Sequence, residues 1–204
     1  MKFKISLLIV LGVLGIYIWS MPANAWTITK EFENELAAKQ AALKANPGDA
    51  HAHFDLAITY AYTNHIQDGW IQLKKTVEID PKFREKGLLL YIKKVTENPN
   101  DWRLRFRLAF AYYFNDEKKD TVRELKNVLI LYPTNVWAYG YLSLIYGEMG
   151  EIDTAMDFAK KGIAVDSNVA ALHLLLSEGY YKKGDAWHGW TERLEALRLR
   201  ALGY

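Results

Sequence analysis

Leu108, Leu142 and Leu176 stand 34 residues apart, and Tyr112, Tyr146 and Tyr180 keep the same spacing. Pro47 to Pro81 and Pro99 to Pro133 each span 34 residues as well. Leu56 and Tyr60 precede Leu108 and Tyr112 by 52 residues, which is 34 plus 18. A register shared by several residue types marks a stacked array of one supersecondary unit. Such arrays build extended surfaces, so the period points to recognition and away from catalysis.

Each unit reads as two helices. In residues 102–135, Leu104, Leu108, Ala109, Ala111 and Tyr112 recur at helical spacing, and Asn115-Asp116 makes a turn. Val122, Leu125, Val128 and Leu129 then form the inner face of a second helix, which Tyr132-Pro133 ends. Proline has no N–H to continue a helix and pushes the preceding residue out of the α region. No alternating apolar–polar run is long enough to argue for a strand.

The units resemble the tetratricopeptide repeat family, whose pattern is W-x2-L-G-x2-Y…A-x3-F…P. Residues 50–83 supply His53-x2-Leu56-Ala57-x2-Tyr60, then Gly69-x3-Leu73 and Pro81. Residues 102–135 supply Arg105-x2-Leu108-Ala109-x2-Tyr112, then Thr121-x3-Leu125 and Pro133. Residues 136–169 supply Tyr139-x2-Leu142-Ser143-x2-Tyr146 and Ala155-x3-Ala159, with Ser167 in place of proline. Residues 170–203 supply His173-x2-Leu176-Ser177-x2-Tyr180 and Gly189-x3-Arg193. The resemblance implies an all-α, right-handed helical-repeat solenoid. Its expected parts are a capping helix within 26–49, repeats at 50–83, 102–135, 136–169 and 170–204, and one extra helix within 84–101. Three readings of that extra helix stay open: it turns the array, it lies against the concave face, or it is an eroded repeat with no role.

The N-terminus is a separate object. Lys2 and Lys4 precede an apolar run from Ile5 to Trp19, followed by Ala23-Asn24-Ala25. This predicts a secretory signal peptide, residues 1–25, cleaved before Trp26. An uncleaved anchor would be the one link to a membrane, and the run is shorter than the roughly 20 apolar residues a spanning helix needs. The chain has no cysteine, so an exported form would rely on its core rather than on disulfides. Together with the absence of an Asn-x-Ser/Thr acceptor, this suits the periplasm or cell envelope of a bacterium. Of 26 basic residues, removing Lys2 and Lys4 leaves 24, equal to the 24 acidic ones. A nucleic-acid partner is therefore not expected.

Few residues could carry chemistry, and no enzyme activity, cofactor or metal is expected. Without cysteine there is no thiol nucleophile or thiolate site, and no phosphate loop, nucleophile elbow or zinc helix occurs. His51 and His53, two apart on a helix, point to different faces.

Interest falls instead on a surface. In the family the resemblance suggests, the first helix of each pair lines a concave groove. Carried over, the partner-binding positions are Phe54, Tyr62, Arg103, Phe106, Phe110, Tyr113, Phe114, Trp137, Glu148, Glu178 and Tyr181. His51, Ile58, Leu144, Leu174 and Lys182 stand beside them, with Gly140 and Gly147 opening space. Aromatic and arginine anchors dominate binding energy at interfaces, so a protein partner offering a peptide or helix is the leading expectation. The competing reading is that these rings are core, covered by the extra helix or by residues 26–46. Glycan binding in the same groove ranks lower, because Asp, Asn and Gln are scarce there. Self-association is a further alternative, through an apolar end face of Trp187, Trp190, Arg193, Leu197 and Arg200.

Overall fold

A computed structural model describes residues 29–203; the expected signal segment lies outside these residues. Ten helices follow one another, with no strand among the described residues. They are α1 (Lys30–Ala45), α2 (Ala50–Ala61), α3 (Ile66–Ile79), α4 (Phe83–Glu97) and α5 (Trp102–Phe114). α6 (Lys118–Leu131), α7 (Val136–Glu148), α8 (Ile152–Val165), α9 (Ala170–Lys182) and α10 (Ala186–Ala201) complete the chain. The architecture is an all-α helical-repeat solenoid.

Local chemistry explains the helix limits. Asp49, Asp101 and Asn135 begin α2, α5 and α7, their side-chain oxygens accepting first-turn amide hydrogens, which satisfies donors the helix cannot. The turn inside each pair repeats in register. Asn64, Asp116, Gly150 and Gly184 adopt φ of 61°, 62°, 82° and 79°, the left-handed conformation that ends helices. Just beyond each, His65, Glu117, Glu151 and Asp185 donate their backbone N–H to the carbonyls of Tyr60, Tyr112, Tyr146 and Tyr180 at 2.9–3.0 Å. The tyrosine register of the sequence is thus also the register of loop closure.

Short residues set the helix spacing: a Cβ on Gly69 would stand 3.0 Å from the Ala57 carbonyl oxygen within the first pair, and one on Gly162 of α8 would stand 2.8 Å from Leu172 Cδ2 of α9, between pairs.

The stacking is regular from α5 onward and broken before it. α5–α6, α7–α8 and α9–α10 pack as hairpins, with α6 on α7 and α8 on α9. α3 and α4, though consecutive, barely touch; α4 packs on α5 instead. An offset of 52 residues superposes α1–α3 on α4–α6, matching Asn46-Pro47 to Asn98-Pro99, Asp49 to Asp101 and Pro81 to Pro133. The extra helix is therefore the counterpart of α1, and the N-terminal part of the solenoid is a three-helix unit present twice. The two units meet face to face. Phe54 packs on Phe114 with ring centroids 5.9 Å apart, and Tyr62 packs on Phe106 at 5.4 Å. Phe54 is equivalent to Phe106 and Tyr62 to Phe114, so the pairs are reciprocal, as in a twofold contact.

Candidate functional site

This face-to-face contact decides the fate of the expected groove. Phe54, Tyr62, Phe106, Phe110 and Trp137 are all buried, none more than 6% exposed. Phe54, Tyr62, Phe106 and Phe110 belong to the core of the folded chain, whereas Trp137 keeps an edge in the cleft between α3, α7 and α9. The physical reason is that the inner faces of the first two repeats cover each other: Phe54 also packs on Phe83 and Tyr91 of α4, and Tyr141 of α7 lies edge-on to Phe110 at 4.8 Å. Tyr113 and Phe114 are half-buried, and Tyr181 lies under α10 with the Arg193 guanidinium 5.3 Å from its ring centroid.

At the centre of the contact is a polar cluster that sequence reasoning missed. Arg107 of α5 is buried and donates through Nε to Asp55 Oδ1 at 3.1 Å. Its Nη2 donates to Glu35 Oε1 at 3.0 Å and to Thr59 Oγ1 at 3.2 Å. The Tyr62 hydroxyl donates to Glu35 and the Tyr91 hydroxyl to Asp55. Lys39 Nζ reaches Asp55 Oδ2 at 2.6 Å. Arg103, an expected groove residue, instead holds Glu35 Oε2 at 2.9 Å and Glu31 Oε1 at 2.6 Å. Burial would raise the Asp55 carboxyl, but Arg107, Lys39 and Tyr91 outweigh it and hold that group far below the ordinary carboxylate range. Burial of Glu35 is likewise outweighed, by Tyr62, Arg107 and Arg103, and its pKa is lowered. Burial first, and then the Glu35 carboxylate, push Tyr62 up to about 12. The one legible sign of this cluster was the 52-residue offset, which aligns Asp55 with Arg107.

Open concave surface survives in the third and fourth repeats. Between α3 on one side and α7 and α9 on the other lies a cleft of about 230 Å³. Ile66 and the half-exposed Trp70 form its wall, and Gly140, Tyr141, Leu144, Leu174 and Leu175 line the rest. Trp70 and Ile66 carry no groove signal in the sequence; folding of the first repeat across α7 puts them there. Leu144 and Leu175 continue into an adjoining hollow of about 200 Å³, where Glu148, Glu178 and Lys182 stand. Lys118 lies 3.1 Å from Glu148, and the Tyr113 hydroxyl donates to Glu148 at 2.8 Å. Burial and Glu148 push Tyr113 up to about 12. Arg193 pairs with Glu178 at 2.5 Å. An apolar floor of this kind can hold a bulky apolar side chain.

Two histidines at the same position of the repeat pattern, His53 and His173, act as pins. His53 Nδ1 lies 2.7 Å from Gln72 Oε1 and its Nε2 2.9 Å from the Pro47 carbonyl oxygen. His173 repeats the arrangement with Glu192 and Ser167. Among the described residues no three His, Asp or Glu side chains converge as metal ligands, and no helix is long and apolar enough to cross a membrane. At the end face, Trp187 and Trp190 are exposed with ring centroids 6.1 Å apart and Leu197 is exposed on the same helix, whereas Arg193 turns to Glu178 and Arg200 borders a hollow with Asn64 and Asp68.

No family model matches the chain, and no curated protein matches it. Its fold is similar to solved structures. MamA MSR-1 C2 aligns with a TM-score of 0.52 at 15% identity, over 84% of this chain and 95% of that one. MamA residues 41 to the end from Desulfovibrio magneticus RS-1 aligns with a TM-score of 0.50 at 14% identity, over 86% and 98%. YrrB, described as a tetratricopeptide repeat protein with an unusual peptide-binding site, aligns with a TM-score of 0.47 at 15% identity, over 80% and 93%. At these identities the likeness concerns the fold alone, an all-α helical-repeat solenoid.

Proposed function

We propose that the chain is a non-catalytic adaptor, exported to a bacterial cell envelope, that binds a helix or extended peptide of a partner protein. The observation that carries this reading is the apolar cleft between Trp70 of α3 and Leu144 and Leu175 of α7 and α9, ending at Glu148 and Glu178. A helix laid in an apolar groove is an established recognition mode. The apolar lining favours a partner that presents a bulky apolar side chain. Export rests on Lys2, Lys4, the apolar run and Ala23-Asn24-Ala25.

The test is capture from envelope extract by residues 26–204 and by Leu175→Glu, with circular dichroism confirming that both fold. Leu175 is only half-buried, so the variant should keep its helices. One protein retained by the wild type and lost by the variant supports the reading. Equal retention sinks it.

A second reading is self-association through the end face, favoured by the 68% exposure of Trp187 and 50% of Trp190. Sedimentation at rising concentration, with and without Trp187→Ser and Trp190→Ser, decides it: a concentration-dependent mass that survives both substitutions rules this face out.

A further inference from the structure

Helix α1 is held unlike the others. None of its residues is buried, whereas its counterpart α4 buries Phe83, Gly87, Tyr91 and Val95. Its attachment is polar and aromatic, and much of it converges on two arginines of α5. Glu31 accepts from Arg103 Nη2 at 2.6 Å, and Glu35 accepts from Arg103 Nε at 2.9 Å and Arg107 Nη2 at 3.0 Å. Between them Phe32 sits against Tyr62 at 5.8 Å, Trp102 at 6.1 Å and the Arg103 guanidinium at 5.4 Å. Residues 31 and 35 lie one turn apart on one helix face, which matches two guanidinium forks side by side.

Arg107 has partners outside α1, namely Asp55, Thr59, the Tyr62 hydroxyl and the Arg103 carbonyl, and α1 adds Lys39 on Asp55 and Glu35 on Arg107. The two carboxylates bonded to the Arg103 side chain both come from α1. Release of α1 would leave Arg107 on Asp55 and take both carboxylates from the Arg103 guanidinium, beside an aromatic slot. No residue of α1 is fully buried, and the Glu31–Arg103 contact, whose carboxylate is 73% exposed, is screened by salt, so the Glu35–Arg107 pair is the main buried contact that release must break. Asn46-Pro47-Gly48-Asp49 links α1 to α2.

We propose that the α1 seat on α5 is a second docking surface, which receives a partner protein's helix bearing Glu-aromatic-x-x-Glu and from which α1, the resident copy of that pattern, is displaced. This surface is distinct from the α7–α9 cleft and does not depend on it. A tethered occupant competes at an effective concentration in the millimolar range, so an added helix binds the intact chain weakly and a chain with a crippled strap tightly.

The experiment titrates a fluorescein-labelled peptide of residues 29–46 into the full mature chain, followed by anisotropy. Wild type is compared with Phe32→Ala/Glu35→Gln, and with the same double variant carrying Arg103→Glu or the milder Arg103→Gln. The expected result is about tenfold or more tighter binding by the double variant, reversed by either Arg103 change and weakened by salt. No binding by the folded double variant, or binding indifferent to Arg103, overturns the proposal. Unfolding of the double variant also overturns it, because α1 would then be part of the core. Self-association of the wild type that Arg103→Glu abolishes would make the occupant a second copy and overturn the assignment to a partner protein.

Discussion

Asp55 and Arg107 occupy the same position in two successive units, 52 residues apart, and they bind each other at 3.1 Å. A position that meets its own equivalent lies at the centre of a face-to-face contact, and here one copy is acid and the other base. Had both been carboxylates, the contact would repel and the units could not close in this way. The inner faces of the first two repeats therefore satisfy each other, and the open groove begins only at the third.

Replacing Arg107 with methionine is expected to destabilise the fold by about 3–5 kcal/mol, because Asp55 and Glu35 would lose their buried partner. Adding Asp55→Leu and Glu35→Leu to that variant should restore much of the loss, since an apolar cluster needs no counter-charge. Urea unfolding of the single and triple variants measures both. A single variant as stable as wild type would show that the cluster contributes nothing.

Acid should act through the same cluster. Asp55 and Glu35 have folded pKa values below their ordinary ones. Their unfolded forms take up protons first as pH falls, so their stabilisation is complete above the ordinary carboxylate range near about pH 4 and fades below it. The urea midpoint of wild type should fall between pH 5 and pH 2.5, estimates set by that range, and fall less in Arg107→Met. Parallel pH profiles would contradict this.

Gly69 sets the distance between α2 and α3, since a Cβ there would lie 3.0 Å from the backbone oxygen of Ala57. Gly69→Val is expected to cost about 1–3 kcal/mol by forcing the helices apart. Thermal denaturation reads the loss, and an unchanged midpoint would mean that the hairpin can open freely.

Asp116 holds a φ of 62° where the third and fourth repeats have glycine. Asp116→Gly removes a Cβ from a left-handed position, worth about 1 kcal/mol against the entropy glycine adds to the unfolded chain. The net expectation is a small gain in stability. A loss of midpoint in urea would show that the side chain contributes more than its strain.

Helices, pairs and turns were legible in the sequence by itself, because they depend on residues close in the chain. Leu56, Leu108, Leu142 and Leu176 recur in register, and Pro81 and Pro133 stop helices. Which face stays open was decided only by tertiary structure. Phe54 and Phe106 carry the same pattern as an exposed groove, and nothing local distinguishes a ring that meets a partner from one that meets its own equivalent 52 residues away. The break between α3 and α4 turned the first repeat onto the second, buried the aromatic set, assembled Arg107, Asp55 and Glu35 from three helices, and moved Trp70 to the cleft wall. Such long-range pairings depend on how helices are stacked, and stacking is set by the summed packing of many side chains rather than by the spacing of any few.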